Sequence, residues 1–181
     1  LDGTSSYGIS VENGRIKPPL RKAIREAVET LDLRVRLTAH QDVLLTGITD
    51  RAALLEILDR HGVARAESVS HARSLGIACP AKPTCGLAMT DAENVLPIWF
   101  DAIEAAGLGD VDLEIRMTGC PNNCARPPSA EVGIFGYGKN DHVLLIGGAR
   151  NGSRLDTPLY ARISGQQMIP APVGLFRTVK Q

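Results

Sequence analysis

The chain has 181 residues, of which 44% are apolar and 22% are charged, as in an ordinary globular protein with one large domain or two small ones. Its 20 basic and 20 acidic residues balance, and only 4% of its residues are aromatic. Nucleic-acid binding is therefore not expected, because the sequence offers neither a net positive field nor much surface for stacking bases. No apolar run approaches the roughly 20 residues that span a bilayer.

The first six residues, Leu1 to Ser6, contain neither an initiator Met nor the charged-then-apolar pattern of a signal peptide. We therefore expect a cytoplasmic protein that is either processed or excised from a longer one. In such a compartment, paired cysteines more often hold a metal than form disulfides.

Residues 1–70 alternate between strand and helix patterns. The patterns predict strands at 7–12, 33–37, 43–48 and 66–69, and helices at 20–31 and 51–60. The second and third strands are close enough along the chain to pair antiparallel, and Thr49 or Asp50 can cap the second helix. This order predicts a ferredoxin-like split βαβ unit, a fold that hosts many functions and specifies none.

Residues 71–181 predict a second domain, rich in loops. Its patterns indicate a loop at 70–89, a helix within 91–106, strands at 113–117, 130–135 and 142–146, and a surface tail at 158–181. Pro97 is tolerated only in the first turn of a helix, so the regular helix should begin near Asn94. The whole chain is therefore expected to be an α+β (mixed α/β) protein with domains at 1–70 and 71–181.

All four cysteines lie between positions 79 and 124. Cys79 and Cys85 form a Cys-x5-Cys pair, and Cys120 and Cys124 form a Cys-x3-Cys pair. A 4Fe–4S cluster needs four thiolates that converge from loops or sharp turns, and the prolines in the first pair keep that loop from becoming helical. Structural zinc also uses four cysteines, usually with narrower spacing than the first pair. The spacing favours an iron–sulfur cluster, with zinc, free thiols or disulfides as open alternatives.

Longer motifs surround both cysteine pairs. The chain contains Ala78-Cys79, Pro83-Thr84-Cys85, Leu87-Ala88-Met89 and Thr118-Gly119-Cys120-Pro121-Asn122-Asn123-Cys124, then Glu131-Val132-Gly133 and Gly147-Gly148-Ala149-Arg150-Asn151-Gly152. These motifs closely resemble those of the sirohaem-dependent sulfite and nitrite reductase family. Residues 36–41 resemble that family as well, and the matches keep the family's order from about residue 9 to residue 155.

The resemblance implies which residues hold the cofactors. The four cysteines would ligate a 4Fe–4S cluster, and Cys124 would also bridge through its sulfur to the sirohaem iron. The resemblance further places four residues against the sirohaem, namely Arg36, Gln41, Asn122 and Arg150. One departure lies beside the last cysteine, where the family usually has Gly and this chain has Asn123. Because Asn tolerates the left-handed backbone well, the turn should survive this change.

The resemblance also implies an activity. The chain would be the later part of a haemoprotein that reduces sulfite to sulfide or nitrite to ammonia with six electrons, supplied by ferredoxin or a flavoprotein. The Arg and Lys residues that grip the substrate lie mainly in an earlier half, which would have to be supplied in cis or in trans, so no catalytic residue is assigned in this chain. The alternative, from another class, is a non-catalytic 4Fe–4S or zinc fragment that serves as a structural or electron-transfer partner.

Some residues invite a plain structural interpretation. Arg116 alternates with apolar neighbours on its strand, which favours a surface position. Met89 and Trp99 are expected in the core. Lys82 and Arg126, each within or beside a cysteine pair, would either screen the charge of a cluster or be exposed.

Overall fold

A computed structural model of the chain describes residues 3–164 and 170–180. The chain divides into two compact units, Leu1–Val69 and Ser70–Gln181. Each unit combines helices with a β-sheet and has a hydrophobic core of its own. The mixture of helices and sheets confirms the predicted α+β class.

The first unit is a three-stranded antiparallel sheet with two helices. Its elements are β1 (Ser5–Ile9), α1 (Pro18–Leu31), β2 (Arg34–Leu37), β3 (Val43–Ile48) and α2 (Arg51–Arg60). The strand order is β1-β3-β2, so the predicted antiparallel pairing of β2 with β3 is confirmed. The core is formed by the inner faces of β1, β3 and the two helices.

Local sequence signals account for both helices of this unit. Two prolines occupy the first turn of α1, where their missing N–H groups would have no intrahelical partner. Asp50 caps α2, because its side chain accepts the N–H of Ala53 at 3.0 Å and so satisfies one of the free donors at the helix start. The bounds predicted for α2, 51–60, are confirmed.

Two predictions for the first unit are wrong. The alternation of residues 33–37 predicts a half-buried strand, yet all four residues of β2 are exposed, because the core of this unit lies over β1 and β3 and does not include β2. The segment predicted as a strand at 66–69 is a 3-10 turn, Ala66–Ser68. The hydroxyl of Tyr7 accepts the N–H of Ala66 at 2.9 Å, and the N–H of Val69 bonds back to the carbonyl of Ala66, so these donors are not available to a sheet.

The second unit is built on a five-stranded sheet with the order β4-β5-β6-β7-β8. Its strands are β4 (Ile77–Ala78), β5 (Ile115–Thr118), β6 (Val132–Gly136), β7 (Asp141–Ile146) and β8 (Thr157–Ser164). The first three strands run parallel to one another, and the last three are antiparallel. The strand β5 is therefore an interior strand, with a parallel neighbour on each side.

The second unit has four described helical segments: α3 (His71–Ser74), α4 (Ala81–Thr84), α5 (Val95–Ala105) and α6 (Pro170–Lys180). The segment α4 is a single irregular turn within the first cysteine loop, because Lys82 has an extended backbone. The helix α5 begins directly after Asn94 and has Pro97 in its first turn, as predicted. Trp99 on α5 is 1% exposed, which confirms its place in the core. In the part of the chain that the structure describes, no helix has the length and apolar character needed to cross a bilayer.

The prediction of a surface tail at 158–181 holds for most of its described residues, but not for Ile163 and Phe176, which are 6% and 0% exposed. Most of this segment is regular structure, as β8 and α6, while residues 165–169 and 181 lie outside the described residues. Phe176 on α6 is 0% exposed and belongs to the core of the second unit. A single buried aromatic side chain gives only a weak periodic signal, so the sequence does not predict the burial of Phe176.

Candidate metal centre

The two cysteine loops leave the five-stranded sheet at the same edge. Cys79 directly follows β4, and Cys120 lies two residues after the end of β5. The strands are parallel neighbours with Ala78 opposite Met117. Because parallel strands end at one edge of a sheet, the topology brings the start of the first loop to the start of the second.

Backbone hydrogen bonds fix the two loops to each other through Gly119. Its N–H donates to Sγ of Cys79 at 3.4 Å. Its carbonyl oxygen accepts the N–H groups of Met89, at 2.7 Å, and of Thr90, at 3.1 Å. Met89, predicted in the core, is 43% exposed, because its backbone rather than its side chain makes this contact.

The absence of a side chain at Gly119 permits this close approach. A Cβ atom there would lie 2.6 Å from the carbonyl oxygen of Thr90, 2.7 Å from Cβ of Ala81 and 3.0 Å from Cβ of Ala88. Real Cβ atoms almost never come that close to other heavy atoms. Any other residue at position 119 would therefore push the cysteine loops apart.

The four cysteines differ in exposure. Cys79 and Cys120 are buried, Cys85 is partly buried and Cys124 is exposed. Burial raises the pKa of the Cys79 thiol, backbone N–H groups of Gly119 and Ala81 lower it, and the neighbouring Cys124 and Cys120 raise it. Cys120 directly follows Gly119, whose N–H donates to Cys79, so the hydrogen bond between the loops brings these two cysteines close to each other.

The spacing of these side chains does not suit a single metal ion. Within residues 3–164 and 170–180, no three His, Cys, Asp or Glu side chains are close enough to hold one ion. A tetrahedral zinc site with Zn–S bonds of about 2.3 Å needs sulfurs about 3.8 Å apart. A 4Fe–4S cluster also takes four thiolates, but it places several metal ions between its ligands.

A tight turn carries the second cysteine pair. The hydroxyl of Thr118 donates to the carbonyl oxygen of Cys120 at 3.1 Å, and the N–H of Arg126 donates to the carbonyl oxygen of Asn123 at 2.8 Å. Asn123 has a φ of 56°, which confirms that it takes the left-handed backbone conformation expected where relatives have glycine. Asn122 is exposed on the outer side of this turn.

The other predicted cofactor contacts have varied surroundings. Arg150 is held by two carboxylates, with its Nε 2.9 Å from Glu131 and a terminal nitrogen 2.8 Å from Asp112. Burial favours the neutral form of Arg150, but the hydrogen bonds to Glu131 and Asp112 outweigh it and raise its pKa. Arg36 and Gln41 belong to the first unit, where Arg36 is exposed on β2 and Gln41 packs over Gly14 with a φ of 66°.

The charged residues beside the cysteine pairs divide into exposed and buried ones. Lys82 and Arg126 are exposed. Arg116, predicted at the surface, is 3% exposed and pairs with Glu114, which is 0% exposed, at 2.9 Å. The prediction is wrong because β5 is an interior strand and is covered on both faces. In the sequence, the strand that contains Arg116 leads directly into a cysteine loop, and this is the signal that could identify Arg116 as buried.

Comparison with known proteins gives consistent matches. A family model described as the nitrite/sulfite reductase ferredoxin-like half domain matches residues 1–61. A sulfite reductase (ferredoxin) of Synechococcus elongatus is 40% identical over 173 residues, which are 90% of this chain and 28% of that protein. A sulfite reductase (NADPH) hemoprotein beta-component of Staphylococcus haemolyticus is 34% identical over 177 residues, 92% of this chain and 31% of that protein.

A solved structure has the same fold. The NirA protein of Mycobacterium tuberculosis superposes with a TM-score of 0.76 at 21% sequence identity, over 97% of this chain and 34% of that one. At this identity the likeness concerns the fold alone. The chain spans roughly a third of the length of the relatives it matches.

Proposed function

Because the chain belongs to the sirohaem-dependent sulfite/nitrite reductase family, we propose that it forms the cluster-bearing part of a reductase that acts on sulfite or nitrite. The observation that carries the proposal is the junction at Gly119, which joins the two cysteine loops at one edge of the sheet. A junction of this kind brings together ligands that are far apart in sequence.

We propose Cys79, Cys85, Cys120 and Cys124 as the ligands of a 4Fe–4S cluster. Their chemistry fits, since four thiolates are the usual ligand set of such a cluster. The N–H groups of Gly119 and Ala81 that donate to Cys79 would stabilise the negative charge of the ligated sulfur. The burial of Cys79 and Cys120 would keep water from that side of the cluster.

We propose that sirohaem binds on the side where Cys124 is exposed. An exposed sulfur at the end of the second loop is the one available to bridge to a second cofactor. When bound, the cluster and the sirohaem would pass the six electrons, one after another, from the external donor to the substrate. The amide of Asn122, on the exposed side of the same turn, would donate to the carboxylates of the macrocycle.

Three further residues are proposed as sirohaem contacts. Arg150 can serve only if it shares its guanidinium, because Glu131 and Asp112 already hold it. Arg has five N–H donors, so a third acceptor is chemically feasible. Arg36 and Gln41, in the first unit, would supply one cationic and one amide donor.

Substrate and electron-donor binding would involve chain beyond these residues. The relatives are about three times as long as the matched part, and we propose that the groups that grip the anion lie in a further half, in cis or in trans. We propose ferredoxin or a flavoprotein as the donor. The alternative of a structural zinc fragment is not favoured, because the relatives that match 90% and 92% of this chain are sulfite reductases.

Metal analysis of anaerobically purified protein tests this proposal. We expect about four iron and four sulfide ions per chain, and a macrocycle absorption band after addition of sirohaem. Cys85→Ser should lose most of the iron, whereas Thr84→Ala, a change at the exposed neighbouring residue, should retain it. One zinc ion without sulfide, or equal iron in both variants, would refute the ligand assignment.

A further inference from the structure

A buried ion pair lies at the start of β5, the strand that leads to the second cysteine pair. Glu114 and Arg116 are two residues apart and therefore face the same side of the chain. Their side chains are 0% and 4% exposed, and a terminal nitrogen of Arg116 lies 2.9 Å from Oε1 of Glu114. Two charges this deeply buried require close partners, because desolvation costs more than an isolated charge can regain.

The other terminal nitrogen of Arg116 reaches the chain that follows Cys124. It donates to Oγ of Ser129 at 2.8 Å and to the carbonyl oxygen of Arg126 at 3.5 Å. The carbonyl oxygen of Arg126 also accepts two hydrogen bonds from Ser129, one from its N–H at 3.2 Å and one from its hydroxyl at 3.1 Å. The carbonyl of Arg126 is therefore a point where strand β5 holds the exit of the cysteine turn.

Gly133 lets the same segment approach the sheet. It is the neighbour of Arg116 on β6, and a Cβ atom there would lie 2.5 Å from the carbonyl oxygen of Pro127. Residues 127–129 therefore lie directly against the sheet beside Arg116. Only a residue without a side chain allows this contact, so the segment and the guanidinium are held at the same place.

The backbone of the turn needs such support. Arg126 has a φ of 58°, a conformation that costs a residue with a side chain free energy and persists where the surroundings enforce it. The N–H of Arg126 bonds to Asn123 at 2.8 Å, so the strained residue is one step from the turn that bears Cys124.

We propose that Arg116, oriented by Glu114, is the positioning residue that fixes Cys124 relative to the other three cysteines. The inference rests on the proposed function for its consequence, the placement of the bridging thiolate. Its structural part does not depend on any cofactor. Fold stability alone does not require the pair, because well-packed apolar residues in place of a buried ion pair often stabilise a protein equally or better.

Four variants of the full chain separate positioning from a merely structural role. Arg116→Met removes the donor but leaves Glu114 buried without its cation, and Glu114→Gln/Arg116→Met removes both charges. Arg116→Lys keeps the positive charge but replaces the forked guanidinium, which binds two partners at once, with a single ammonium group. Arg73→Met is the matched control, since it removes a cation that pairs with Asp101 and Glu104 beside α5.

Hydrogen exchange in the metal-free chain is the first measurement. In the double variant we expect the midpoint of unfolding, followed by the fluorescence of Trp99, to recover from the loss in Arg116→Met. The amide of Ser129 should still exchange about tenfold faster than in the parent. The amide of Cys85, bonded to Ala81 at 2.7 Å in the first loop, should be unchanged. Arg116→Lys should restore part of the protection of the Ser129 amide against exchange. If exchange at Ser129 recovers together with the midpoint, Arg116 is only structural and the inference is refuted.

The second measurement uses protein loaded with iron and sulfide. The paramagnetic resonance spectrum and midpoint potential of the reduced cluster should change in the double variant and not in Arg73→Met. An unchanged cluster spectrum in the double variant would overturn the positioning role. A parent chain that binds no cluster would instead refute the proposed function, while the exchange experiment would still decide whether Arg116 holds the turn.

Discussion

Substituting Gly119 by alanine tests whether the two cysteine loops depend on their close approach. The added Cβ would meet the carbonyl oxygen of Thr90 at 2.6 Å and Cβ atoms of Ala81 and Ala88 at 2.7 Å and 3.0 Å. None of these atoms can turn away by a side-chain rotation, because each is fixed to the backbone. Overpacking usually costs about 1–3 kcal/mol, and we expect the upper end, about 3 kcal/mol.

The loss can be measured with the intrinsic fluorescence of the chain. Trp99 is the single tryptophan, is 1% exposed and lies in the second unit, so its emission follows the unfolding of that unit. For a domain of roughly 100 residues, about 3 kcal/mol corresponds to a fall in Tm of about 12 °C or more. Iron binding should be lost as well, since the substitution would separate the loops.

Gly86→Ala is the matched control for this substitution. Gly86 follows Cys85 in the first loop, and a Cβ atom there would meet nothing within 4 Å. We expect its Tm to stay within about 2 °C of the parent. If the two alanine variants melt at the same temperature, the close packing around Gly119 does not hold the loops together and the reasoning fails.

Two further substitutions test other features of the second unit. Burial raises the pKa of Asp156 to about 6, so this carboxyl favours folding at low pH, and its contribution is lost as the pH rises from about 4 to 6. After allowance for solvent screening, Asp156→Asn should stabilise the chain by about 1 kcal/mol at pH 7.5 and by less than half of that at pH 4.5. Urea titrations that show the same increase in the free energy of unfolding at both pH values would contradict this. Phe176→Ala should lower the free energy of unfolding by about 3–5 kcal/mol. Val179→Ala, at a residue that is 56% exposed, should lower it by less than about 0.5 kcal/mol. Equal midpoints in the thermal unfolding curves of the two variants would show that Phe176 is not packed in the core.

Several features of this protein are determined by sequence neighbours alone. The helix Arg51–Arg60 and its cap at Asp50 follow from apolar spacing and one carboxylate placed before the first turn. The left-handed backbone at Asn123 follows from the tolerance of its side chain in a sharp turn. Such signals are local, because each depends on contacts between residues only a few positions apart, and they can be read without knowing what packs above or below.

Other features depend on what covers a residue in three dimensions. Arg116 alternates with apolar residues as a surface residue would, yet β5 is an interior strand and the guanidinium of Arg116 donates to Ser129, 13 positions further along the chain. The strand β2 shows the same alternation and is exposed throughout, because the core of the first unit does not extend over it. Alternation states only that successive side chains face opposite sides of a strand. Which sides are covered is decided by strand order and by the helices and turns packed on the sheet, and these arise only when distant parts of the chain come together.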